Sequence, residues 1–107
     1  MNSGINGIDI RTTRQIVKLI IAHKVPEKIV VFGSRAKNDF NDSSDIDIAI
    51  FGKGWKDKDV NIVKNSLEEL INIPLKFDVV NFYDLRKPAL KENIFREGRV
   101  IYESQKN

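Results

Sequence analysis

Residues 45 to 51 read DIDIAIF, and this short segment constrains the fold more than any other part of the chain. Strict alternation predicts a β-strand that directs its isoleucines to one face and Asp45, Asp47 and Ala49 to the other. The isoleucine face requires a buried layer against it. The opposite face carries two carboxylates that an ordinary core would not accept.

Helices and strands alternate along the rest of the chain. Apolar residues at helical or strand spacing, bounded by Gly and Pro, mark each element. The pattern predicts an α/β fold with a central mixed sheet packed by helices. The predicted elements, in order, are a helix over 9–24, strands over 28–33 and 45–51, a helix over 57–71, a strand over 75–82, a helix over 85–98 with Pro88 in its first turn, and a strand over 99–103.

Length and composition predict one globular domain, residues 1–107. Hydrophobic residues make up 41% and charged residues 31%, and no apolar run approaches the roughly 18 residues that cross a bilayer. With no secretory h-region, we expect a cytoplasmic protein without a membrane partner. A net charge of +3 does not indicate nucleic-acid binding.

The spacing of the acids predicts a metal site built from oxygen ligands. The chain has no cysteine and one histidine, which excludes thiolate and His-rich sites. Asp45 and Asp47 stand about 6.6 Å apart along a strand, and a neighbouring strand would bring Asp78 within about 5 Å. Three such carboxylates suit Mg²⁺, and a pair of these ions supports phosphoryl or nucleotidyl displacement.

Gly33 and Ser34 follow a predicted strand and supply a phosphate-binding turn. Glycine lets the backbone approach a ligand closely, and the next amides and the serine hydroxyl can donate to phosphate oxygens. Arg35 and Lys37 are further countercharges, with Arg35 the stronger nucleotide-binding prediction. The turn lacks the Gly-Lys-Ser/Thr ending of a Walker loop.

Together, "GSRA", "SDIDIAI" and the later "FDVV" resemble the minimal nucleotidyltransferases of the DNA polymerase beta superfamily, from about Ile29 to Glu103. The resemblance implies a polymerase-beta-like fold and a nucleotidyltransferase, with an adenylyltransferase favoured. It implies that Gly33 and Ser34 hold nucleotide phosphates. It also implies that Asp45, Asp47 and Asp78 are catalytic metal ligands, with two Mg²⁺ ions and ATP or another NTP as substrate.

One position departs from that family pattern. Asn38 stands where many relatives have glycine after the "GSRAK" or "GSRAR" sequence. Asparagine tolerates a left-handed backbone better than most residues, so we expect the turn to survive.

The resemblance further implies a partner, because minimal members are often paired with a small helical HEPN protein. We therefore expect Mg²⁺-dependent transfer of a nucleoside monophosphate to a hydroxyl of a partner protein, plausibly as the antitoxin of a HEPN toxin, within a homo- or hetero-oligomer.

Two alternatives stay open. One is a nucleotide-binding subunit that regulates a helical partner without transfer, through exposed apolar residues at Ile94, Phe95, Val100, Ile101 and Tyr102. The other is a small-molecule nucleotidyltransferase of the aminoglycoside type. We expect His23 to be a capping or surface residue and Trp55 to close an edge of the core rather than to stack on a base.

Overall fold

The computed structural model describes residues 4–105 and consists of a four-stranded sheet with three long helices. None of the helices in this range is both long and apolar enough to cross a membrane. The elements are α1 Ile10–His23, β1 Lys28–Phe32, α2 Ser34–Lys37, β2 Ile46–Phe51, α3 Asp57–Leu70, β3 Phe77–Asn81, a 3₁₀ turn Phe82–Asp84, α4 Pro88–Glu97 and β4 Arg99–Glu103.

The sheet is mixed, with the strand order β3-β2-β1-β4. β1 pairs antiparallel with both β2 and β4, whereas β2 and β3 run parallel. A parallel pair needs a crossover connection, and α3 provides it between β2 and β3. The predicted central mixed sheet packed by helices is confirmed.

The main core lies between one sheet face and the helices α1 and α3. Ile46, Ile48 and Ile50 are fully buried there, as the alternation of β2 predicts. Ile16 and Ile20 of α1 and Val63 and Leu67 of α3 complete this layer.

The other sheet face carries a smaller core under α4. Val30, Phe32, Ala49 and Phe51 contribute from the sheet, and Ile94 from α4. This smaller core covers Ala49 and Phe51, covers Asp47 in part and leaves Asp45 exposed.

Sequence reasoning placed several element boundaries imperfectly. The predicted first helix includes Asp9, whereas α1 begins at Ile10 and Asp9 caps it by accepting the N–H of Arg11 at 2.8 Å. The short helix α2 and the 3₁₀ turn after β3 were not predicted, because single helical turns carry too few residues to show a period.

A polar cluster joins the end of α1 to the start of α3. The buried carboxylate of Asp59 accepts the N–H of Lys56 at 2.8 Å, lies 2.9 Å from Nε2 of His23 and accepts from Nζ of Lys24 at 3.4 Å. His23 also meets Trp55 edge to face. Trp55 is 5% exposed and belongs to the main core, as expected.

The hydrogen bond from the Lys56 N–H is the main reason why the pKa of Asp59 is lowered to about 2. The hydrogen bond with His23 is the second cause. The ionised carboxylate therefore adds stability above pH 4, and that stability is lost as the pH falls towards 2.

We predict that Asp59→Asn melts at a lower temperature than the wild type at pH 7, and that this difference in melting temperature narrows between pH 4 and pH 3. Thermal melts at these pH values check this. Asp57→Asn, an exposed acid in the same helical turn, is the control and should show no comparable pH-dependent difference.

Candidate active site

Three aspartates meet where β2 and β3 begin. The parallel register places Asp47 directly beside Asp78. Asp45 immediately precedes β2, and its charge also acts on Asp47. Asp45 and Asp78 are exposed, while Asp47 is half-buried. The structure thus brings together all three acids that the sequence singled out.

The environment of Asp47 disfavours its charge. Burial is the largest cause, followed by the charges of Asp78 and Asp45, and together they raise its pKa from 3.8 to about 6. Among residues 4–105, none of the three carboxylates has a side-chain hydrogen bond or an ion pair. The cluster is therefore a concentrated negative charge without a protein cation to balance it.

Gly33 lies against Asp47. Phe32, the last residue of β1, is the register partner of Asp47, and Gly33 follows it with φ +75°. A Cβ at this position would collide with Oδ2 of Asp47. Glycine is thus required both by the backbone conformation and by the space that the carboxylate occupies.

Ser34 begins α2 directly after Gly33, and its side chain is half-buried. The first amides of a helix lack intrahelical acceptors, so the turn offers donors beside the carboxylates. α2 ends at Asn38, whose φ of 65° and ψ of 27° are left-handed. Asparagine therefore adopts the conformation expected where relatives have glycine.

Arg35 has a different environment from the one predicted. Its side chain is 2% exposed, and its guanidinium donates to the carbonyls of Ser44, Asn6, Asn41 and Asp42. Four of its five N–H groups are thereby occupied. The guanidinium is therefore directed at backbone carbonyls, and nucleotide binding by Arg35 stays a prediction.

Lys37 is exposed and lies 3.6 Å from Glu97 of α4, so its charge is already paired.

The residues around Arg35, including Asn6 and Phe40, were not predicted from the sequence. Only the turn-forming "NDSS" of residues 41–44 hinted at an ordered loop there, and Asn41 accepts the N–H of Ser43 as such turns do.

The donor set fits a hard divalent cation. Unpaired carboxylates are the ligands that Mg²⁺ takes, and Mg²⁺ is usually completed by water and substrate phosphates. Within residues 4–105, no three acidic or histidine side chains converge, as they are placed, into a closed metal-binding group. The three aspartates are therefore neighbours in the sheet whose side chains, as placed, do not form a closed set of ligands.

The raised pKa of Asp47 has a consequence for stability. The folded protein holds the proton of this carboxyl more tightly than the unfolded chain does, so stability falls as the pH rises from about 4 to about 6. We predict that Asp47→Asn is more stable than the wild type at pH 8. The rise in the pKa of Asp47 from 3.8 to about 6, at about 1.36 kcal/mol per unit of pKa and discounted for partial exposure, corresponds to a gain of about 1–2 kcal/mol.

Urea denaturation in EDTA at pH 8 and pH 4 measures this gain, which should vanish at pH 4. Asp39→Asn, an exposed loop acid, is the control. An equal stability for Asp47→Asn and the wild type at pH 8 would contradict the electrostatic description of the site.

Gly33 gives a second prediction. Gly33→Ala places a side chain at a positive φ and must also displace the Asp47 carboxylate. We therefore expect the free energy of unfolding to fall by on the order of 2–4 kcal/mol. Gly54→Ala is the matched control, because Gly54 has φ +79° with no atom within 4 Å of an added Cβ. Denaturation curves should show a larger loss of unfolding free energy for Gly33→Ala than for Gly54→Ala. Equal losses would mean that the contact between the added Cβ and Asp47 does not destabilise the fold.

Comparison with known proteins identifies the family. The sequence model of the family described as "Polymerase beta, Nucleotidyltransferase" matches residues 14–107. A candidate protein adenylyltransferase from Methanocaldococcus jannaschii is 34% identical over 86 residues, which make up 79% of this chain and 88% of the relative.

Solved structures share the fold. A candidate minimal nucleotidyltransferase is 29% identical with a TM-score of 0.64, over 86% of this chain and 95% of its own. A chain from the crystal structure of a toxin–antitoxin with AMP-PNP reaches a TM-score of 0.71 at 21% identity, over 86% of this chain and 73% of its own. The chain therefore belongs to the polymerase beta family of nucleotidyltransferases and is a nucleotidyltransferase.

Proposed function

We propose that this chain transfers AMP from ATP to a hydroxyl group of a partner protein. The observation that carries the proposal is the meeting of three unpaired aspartates with the Gly33–Ser34 turn at one end of the sheet. A relative named for protein adenylylation supports the choice of ATP and of a protein acceptor. A fold neighbour that was solved with AMP-PNP is consistent with a nucleoside triphosphate donor.

In this proposal, the Gly33–Ser34 turn holds the triphosphate through backbone amides and the Ser34 hydroxyl. Asp45, Asp47 and Asp78 would hold two Mg²⁺ ions, which supply charge neutralisation for the phosphates and the leaving group. Gly33 keeps the phosphates close to the carboxylates, because no side chain separates the turn from Asp47.

The acceptor hydroxyl oxygen attacks the α-phosphorus, and the bond from that phosphorus to the bridging oxygen breaks to release pyrophosphate. Asp78 lies on the edge strand and is exposed, so we assign it the proton of the attacking hydroxyl. Catalysis then consists mainly of positioning and electrostatic stabilisation. Use of ATP agrees with the cytoplasmic location expected from the sequence.

The partner that we propose is a small helical protein of the HEPN type, with this chain as its antitoxin. The fold neighbour from a toxin–antitoxin assembly supports a partnership of this kind. Two of the residues first considered for a partner surface are unsuitable, because Ile94 and Ile101 are 2% and 8% exposed. Phe95, at 66%, and Val100, at 39%, are the exposed ones.

That exposed phenylalanine favours a second function, regulation of the partner by binding alone. A variant with Asp45, Asp47 and Asp78 all changed to Asn decides between the two functions. If it still binds and silences the partner as the wild type does, binding is sufficient and transfer is dispensable. The small-molecule alternative predicts instead that label enters a low-molecular-weight product.

To test transfer, the purified protein is incubated with Mg²⁺, lysate of its native host and ATP labelled at either the α- or the γ-phosphate. Kinases of the lysate transfer the γ label whether or not this chain is added, so a band counts only if it depends on the purified protein. We expect such a band from α-labelled ATP and not from γ-labelled ATP, and at least a ~100-fold loss with Asp47→Asn. Asp39→Asn should label as the wild type does. A band that depends on the purified protein and carries the γ label, or undiminished transfer of the α label by Asp47→Asn, would contradict the proposal.

A further inference from the structure

Arg35 carries a buried charge that the chemistry of transfer does not use. Its guanidinium donates to four backbone carbonyls at 2.9 to 3.3 Å and has no carboxylate partner in the described chain. Burying a cation without an opposite charge is costly unless hydrogen bonds compensate it. Arg35 therefore acts through the four carbonyls that it holds.

Three of the four carbonyls that Arg35 binds belong to the loop that leads into the site. Nε donates to Ser44 at 3.0 Å, and Ser44 directly precedes Asp45. Nη2 donates to Asn41 and Asp42, at the beginning of the same loop. Along the chain, Arg35 directly follows Ser34. One side chain thus joins the predicted phosphate-binding turn to the first of the three aspartates.

The surroundings of the guanidinium are built to its shape. The ring of Phe40 lies 4.9 Å from Cζ, and Nη1 donates to the carbonyl of Asn6 at 2.9 Å. Gly7 has φ +79°, and a Cβ there would lie 2.8 Å from Nη1 and would also collide with Phe40. The N-terminal segment therefore closes over Arg35.

We propose that Arg35 is a positioning residue that fixes Asp45 relative to Gly33 and Ser34, so that metal ligands and phosphate donors share one geometry. This inference rests on the proposed function and names a determinant of that same site. Lysine cannot replace it. The planar guanidinium donates to four carbonyls at once, whereas a single ammonium group has only three N–H donors on one atom. The loop would then lose its link to α2, and the local turn bonds that its amides make would open more often.

The test compares Arg35→Lys with Leu67→Ala, which weakens the main core at α3 and removes no hydrogen bond of Arg35. Two quantities are measured under conditions where both variants are folded: amide hydrogen exchange of residues 41–45 without ligand, and the Mg²⁺ concentration that gives half-maximal binding of a non-hydrolysable ATP analogue by calorimetry. A purely structural role for Arg35 would make both variants behave alike.

We expect Arg35→Lys to accelerate exchange in residues 41–45 and to raise the half-maximal Mg²⁺ concentration by about 10- to 100-fold, as loss of a ligand-orienting group does. Leu67→Ala should leave both values as in the wild type. Unchanged values for Arg35→Lys, or equal changes in the two variants, would overturn the proposal.

If Arg35→Lys does not fold, Phe40→Leu keeps the arginine and removes the ring beside it, and it should shift both quantities in the same direction by less. No shift with Phe40→Leu then overturns the proposal. A failure of the proposed function can be told apart from a failure of the Arg35 proposal, because nucleotide binding by the wild type would then not depend on Mg²⁺. In that case the exchange measurement still tests the role of Arg35.

Discussion

The parallel pairing of β2 with β3 sets Asp47 directly beside Asp78, and the candidate site depends on this register. A slip of one residue would turn every side chain of a strand to the other face and send an aspartate into the main core. The three isoleucines of β2 and Phe77 with Val79 of β3 are buried on that core face, which makes the slip prohibitive. The hydrophobic packing on one side of the sheet therefore fixes the carboxylates on the other.

The cost of this arrangement is electrostatic. Burial and two neighbouring acids raise the pKa of Asp47, and no protein cation among residues 4–105 offsets them. A structure selected only for stability would place an amide or a basic residue there. Uncompensated charge at a defined point is what a site for divalent cations and phosphates needs, so the same feature that weakens the fold supports the proposed activity.

The sequence predicted the structure correctly where a hydrophobic pattern extended over many residues, or where a residue type has few roles in the place where it occurs. Alternation placed Asp45 and Asp47 together at the start of β2, and an acid in the next strand identified Asp78. Arg35 shows the limit of such reasoning, since nothing in the sequence indicated that its partners are the carbonyls of residues 6, 41, 42 and 44. Those partners depend on how a loop and the N-terminal segment fold back, and no local pattern encodes that.

The central claim is that the three aspartates and the Gly33–Ser34 turn form one metal–nucleotide site. Its most direct test is a crystal structure of the protein with Mn²⁺ and a non-hydrolysable ATP analogue, recorded at a wavelength where Mn²⁺ scatters anomalously. We predict anomalous density bounded by Asp45, Asp47 and Asp78, with phosphate oxygens accepting from the amides and hydroxyl at Ser34. A nucleotide bound elsewhere, or metal density that no aspartate of this cluster touches, would contradict the claim.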